Sequence, residues 1–133
     1  MPQQLPPAAP VPPTRRPPGA KPPLRWTAVL FAFAATVLLV TVTDGLVRTM
    51  QLGPTFESLA TLVAPFTAGA LTAFYARVRG GMHAALGSLL SVPVLAVFIF
   101  DGTWTLAVLA GCFCVLGGAI TELLLRSRSA PDR

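Results

Sequence analysis

Hydrophobic residues in this chain fall into four long, nearly unbroken runs rather than into the short alternations of a soluble fold. Residues 26–43 (WTAVLFAFAATVLLVTVT), 59–76 (LATLVAPFTAGALTAFYA) and 83–100 (HAALGSLLSVPVLAVFIF) each extend over 18 positions without Asp, Glu, Lys or Arg. Residues 104–125 (WTLAVLAGCFCVLGGAITELLL) form a fourth run of 22, whose single acid is Glu122. At 1.5 Å per helical residue, 18 residues cover about 27 Å, close to the hydrocarbon thickness of a bilayer. The pattern predicts an all-α membrane protein: a four-span transmembrane helix bundle over residues 26–128.

Polar residues frame these runs unevenly. Of the 14 prolines, 10 lie within residues 1–24 (MPQQLPPAAPVPPTRRPPGAKPPL). Proline removes backbone donors and fixes φ, so residues 1–25 are expected to be a disordered, Pro-rich basic tail. Its PxxP spacings at Pro7/Pro10 and Pro10/Pro13 suit aromatic grooves, but proline-rich composition alone is equally a linker. Residues 129–133 form a second short tail. A cleavable signal peptide would have a shorter apolar core and a small-residue cleavage site. The long first run, with only Thr41-Val42-Thr43 behind it, therefore reads as an uncleaved anchor.

Composition narrows the class. The chain has 133 residues, 53% of them hydrophobic and only 11% charged, with a formal net charge of +5. Soluble domains carry about 25% charged residues. This excludes a soluble globular enzyme, a nucleic-acid-binding module and a disulfide scaffold.

Charge placement predicts orientation. With four spans, both ends share one side, and that side holds Arg15, Arg16, Lys21, Arg25, Arg77, Arg79, Arg126, Arg128 and Arg133. The other side holds Arg48 alone, together with the acids Asp44, Glu57 and Asp101. Nine basic residues against one places both termini in the cytoplasm. Such a bias also argues against an antiparallel, dual-topology dimer. Arg77, Arg79, Arg126 and Arg128 then ring the inner face, where anionic lipid headgroups are expected partners. Arginine, alanine and proline abundance, with nine Arg to one Lys, points to a GC-rich bacterium and so to its cytoplasmic membrane.

An internal similarity runs through the spans. V-T-V-T-D-G at the end of the first (Val40 to Gly45) matches V-F-I-F-D-G at the end of the third (Val97 to Gly102). G-A-L-T-A-F-Y-A-R-V-R (Gly69 to Arg79) likewise matches G-A-I-T-E-L-L-L-R-S-R (Gly118 to Arg128). Both matches sit at equivalent places in an in–out–in hairpin. They predict a 2+2 hairpin repeat about a pseudo-two-fold along the membrane normal. Convergence remains open, since Asp-Gly favours turns and R-x-R satisfies the charge rule.

Helices in lipid associate through small residues. Ala107, Gly111, Cys114 and Gly118 are spaced 4, 3 and 4 apart and form one stripe on the fourth span, a candidate packing face toward the bundle or toward a partner. Pro65 and Pro93 lie at similar depth in spans two and three. Both are candidate kinks, serving packing curvature or splaying an outer vestibule.

Candidate chemistry is sparse. Glu122 is the only acid inside a span, and such residues usually carry function. It precedes Arg126 by four residues, the favourable order for a helical ion pair. The pair is thus a candidate ion or proton site at the inner mouth, or an interfacial salt bridge. Asp44-Gly45 and Asp101-Gly102 read as outer turns, with Leu46, Val47 and Met50 on one side of a segment that extends the first span or lies at the interface. His83 has no second ligand and reads as interfacial. Cys112 and Cys114 point about 200° apart on a helix and serve as small apolar residues. Trp26 and Trp104 open their spans at opposite faces, as an aromatic belt requires. No nucleophile–base pair, phosphate loop, metal cluster or haem-type histidine pair is present, so no cofactor, metal or catalytic residue is assigned.

Two functions remain in view. One is a non-catalytic accessory or assembly subunit of a larger membrane complex. The other is a small transporter or channel, a parallel homo-oligomer with Glu122 near its inner mouth. A weaker third is a scaffold led by the proline-rich tail.

Overall fold

The computed structural model describes residues 24–51, 53–77 and 79–128. The Pro-rich tail expected over residues 1–25 lies almost wholly outside them, as does the tail at 129–133. Four helices follow in order: α1 (Trp26–Thr49), α2 (Pro54–Ala76), α3 (Gly80–Phe98) and α4 (Trp104–Arg128). Each is long and apolar enough to cross a membrane. The architecture is that of a multi-pass membrane protein.

Local chemistry sets the helix ends. Pro54 opens α2, where its missing N–H and preset φ are tolerated. α1 continues through Asp44-Gly45 to Thr49, so this segment extends the first span, one of the two readings of it, and the turn at Asp44-Gly45 is absent. Asp44 instead pairs with Arg48 one helical turn on, at 2.8 Å, so the helix projects past its apolar run on an i,i+4 ion pair. The turn at Asp101-Gly102 is present, with φ of 47° and 85°. Gly102 carries the larger positive value without a Cβ penalty. The α2–α3 reversal is tighter: Arg77 and Arg79 are both left-handed, at φ 53° and 57°.

The end of the bundle where α1 begins and α4 finishes is called the terminal end, and the opposite one the distal end. α1 packs on α2 and α3, α4 packs on the same two, and α2 approaches α3 through the middle. α1 and α4 occupy opposite corners, bridged where Thr36 Oγ1 lies 3.4 Å from Cys114 Sγ.

The interior is built from small side chains. Ala28, Ala32, Ala68, Ala84, Ala96, Ala107 and Ala110 are fully buried, and the largest such side chain is Leu95. Large apolar residues such as Leu38, Leu89, Phe98 and Leu123 point outward. This inversion of the soluble pattern follows from lipid being as apolar as leucine: burying leucine gains little, while close backbone approach gains dispersion. Pro65 and Pro93 sit inside unbroken helices, but Pro65 is buried and Pro93 is exposed.

Candidate functional site

Among the described residues, two long-range hydrogen bonds meet at the first turn of α3. A helix start leaves several N–H groups without internal partners. Arg79, the residue before α3, offers its carbonyl to Met82 N and His83 N at 3.1 and 3.2 Å. Gly81 N is met from another helix, donating at 2.9 Å to Oε2 of Glu122 on α4. The other oxygen of Glu122, Oε1, accepts from Arg126. The carboxylate thus caps α3, and its charge suits the positive end of the helix dipole.

The pair read from sequence is therefore real, and it does more than an i,i+4 salt bridge. Its side chains differ in setting: Glu122 is 16% exposed and Arg126 69%. The acid lies in the bundle and the base faces outward. Gly81 lies in ordinary van der Waals reach of α4, where a Cβ would sit 3.4 Å from the Glu122 oxygen and 3.5 Å from the Ala119 Cα.

His83 makes the second link. It is 2% exposed. The backbone N–H of Arg25, the residue preceding α1, donates to its Nε2 at 3.2 Å. An amide N–H can only donate, so Nε2 is the unprotonated ring nitrogen. Nδ1 then carries the proton and donates to the Arg79 carbonyl at 2.8 Å. One neutral histidine ties the starts of the two parallel helices α1 and α3. The sequence reading placed His83 at the interface but missed this bridge, because its partner is 58 residues away.

A third contact completes the clamp. A Cβ on Gly80 would fall 2.5 Å from the Cα of Ala73, so α2 lies directly against the start of α3. The first turn of α3 is consequently held by α1, α2 and α4 together.

The stripe Ala107, Gly111, Cys114 and Gly118 is buried, joined by Ala110, Gly117 and Thr121. A Cβ at Gly69 would lie 1.8 Å from the Cys114 carbonyl oxygen, and one at Gly117 would lie 2.1 Å from that of Phe66. A Cβ on Gly118 would meet the Cβ of Ala84 at 2.7 Å. The stripe is occupied by α2 and α3 of this chain and is not available to an outside partner. Gly117 belongs to the same face but falls off the stripe read from the sequence.

Cys112 is exposed and Cys114 buried, as their opposed directions require. Arg77 and Arg128 are exposed and Arg79 half-buried, all at the terminal end. At the distal end, Thr43, Asp44, Glu57 and Thr61 line a cavity of about 10 Å³ between α1 and α2. Among the described residues, no three His, Cys, Asp or Glu side chains come together as a metal site.

No protein-family model, no curated protein and no solved structure matches this chain.

Proposed function

We propose that this chain is a small, non-catalytic integral membrane protein acting as an accessory or assembly subunit of a larger membrane complex. The observation that carries the reading is the engagement of Glu122. A carboxylate that passes cations or protons must exchange its partners with the solute. Here one oxygen accepts from Gly81 N and the other from Arg126, and both contacts serve the bundle. The interior beside it is filled by alanine and glycine in close contact.

The proposal includes an orientation with both termini in the cytoplasm of a bacterium, the Pro-rich tail among them. It includes anionic headgroups at Arg77, Arg79, Arg126 and Arg128, and no nucleic-acid partner. It includes descent from a duplicated hairpin. Support for the last is local: Gly69 and Gly118, equivalent in the proposed repeat, lie against each other at the α2–α4 contact. Since α4's small-residue stripe is filled internally, a partner subunit would meet outward-facing side chains instead.

The alternative is a transporter or channel, working as a parallel homo-oligomer with Glu122 at its inner mouth. It is favoured by the 16% exposure of that carboxylate, which leaves it reachable from the terminal end. Mild-detergent purification from the native host, followed by native mass spectrometry, separates the two. A stoichiometric assembly with other membrane proteins supports the accessory subunit. A homo-oligomer alone overturns it, and flux through Glu122→Gln then tests the alternative.

A further inference from the structure

We propose that His83 is a proton-sensitive clasp, which holds the start of α1 against α3 while neutral and releases it on protonation. The geometry defines the neutral state twice over. Nε2 must offer a lone pair because its partner is the Arg25 N–H, and Nδ1 must carry hydrogen because its partner is the Arg79 carbonyl.

A second proton has one place to go, Nε2. It would put a donor opposite the Arg25 N–H at 3.2 Å, replacing a hydrogen bond with two facing donors. The Nδ1–H contact to Arg79 survives, so the ring stays with α3 and the link to α1 is the one lost.

Charged and titratable groups at this end of the bundle come from all four helices. α1 contributes Arg25, and its positive dipole end points toward the ring, as does that of α3. The ring's own turn contributes Arg79. From α2 come Arg77 and Tyr75, the latter stacked on Phe31 at a ring separation of 4.6 Å. α4 supplies Arg126, Arg128 and one acid, Glu122. Both oxygens of that acid are engaged, by Gly81 N and Arg126.

The chain has a single histidine, so nitrogen-15 histidine labelling reads this site alone. The full chain in nanodiscs of zwitterionic lipid should show the Nδ1–H tautomer at neutral pH. As the imidazolium signal grows on acidification, amide exchange over residues 24–30 should accelerate about 3–10-fold, the scale of one lost hydrogen bond. Exchange over α4 should not change in step. In His83→Gln the side-chain oxygen accepts at every pH, and the exchange step should vanish. An Nε2–H tautomer at neutral pH overturns the proposal. So does unchanged exchange across the ring's titration, or a step that persists in His83→Gln. If that variant does not fold, the tautomer and exchange profile of the native chain decide the matter.

Discussion

Gly69 of α2 and Gly118 of α4 meet backbone to backbone: a Cβ on Gly69 would stand 2.9 Å from the Gly118 amide nitrogen, and one on Gly118 would stand 3.4 Å from the Gly69 carbonyl oxygen. No larger residue fits at Gly69 without parting the helices. The contact is where a bundle with little hydrophobic drive between its helices gains its packing.

Substitutions at glycine should therefore divide sharply by position. Gly69→Ala and Gly117→Ala should each destabilise by about 1–3 kcal/mol through overpacking. Gly45→Ala should be neutral or stabilising by up to about 1 kcal/mol, because nothing lies within 4 Å of its Cβ position and alanine is the better helix former. Unfolding in mixed detergent–SDS micelles, followed by circular dichroism, measures all three. Equal effects at Gly45 and Gly69 would contradict the packing described.

At the terminal end, the order of effects distinguishes a helix cap from a surface ion pair. Glu122→Ala should cost about 1–2 kcal/mol, as loss of an N-terminal cap does. Glu122→Gln should cost less, since its amide oxygen still accepts from Gly81 N. Arg126→Ala should cost no more than about 0.3–0.5 kcal/mol, the range for an exposed i,i+4 pair. If Arg126→Ala proves the most damaging of the three, the ion pair and not the cap is what matters.

Arg77 offers a test of backbone strain. Its φ of 53° places a Cβ-bearing residue in the left-handed region at the end of α2, a position that favours glycine. Arg77→Gly should stabilise by about 0.5–1 kcal/mol, while Arg77→Ala, which keeps its Cβ, should gain nothing. The same unfolding measurement reads both.

The two cysteines should differ in reactivity. A membrane-permeant thiol reagent should modify Cys112, which is exposed, and spare Cys114, which is buried against Thr36. Peptide mass spectrometry before and after SDS unfolding checks this. Early modification of Cys114 would mean that α4 is turned the other way.

Orientation is open to a direct assay. A C-terminal green-fluorescent fusion should fluoresce and a C-terminal alkaline-phosphatase fusion should be inactive if, as proposed, both termini are cytoplasmic. The reverse pattern would overturn the inside placement of both ends.

Number and approximate extent of the four helices were legible in the chain itself, because a membrane span is a one-dimensional property: enough apolar residues in a row. The inward face of α4 was legible for the same reason, since small residues at spacings of 4, 3 and 4 share a helix side. The Glu122–Arg126 pair followed from local spacing too. Hydrophobicity misled at Asp44-Gly45, where a charge ended the apolar run but not the helix: Arg48, one turn on, neutralises that charge.

What only the tertiary structure decided lies between helices. Spacing along one helix does not reveal which neighbour a side chain will find. The capping of Gly81 by Glu122 across 41 residues, and the bridging of Arg25 and Arg79 by His83, left no trace in any local pattern. A lone histidine and a lone carboxylate look alike in sequence whether they serve a solute or a helix end. The difference is set by the partners that folding brings to them, and those partners come from other helices.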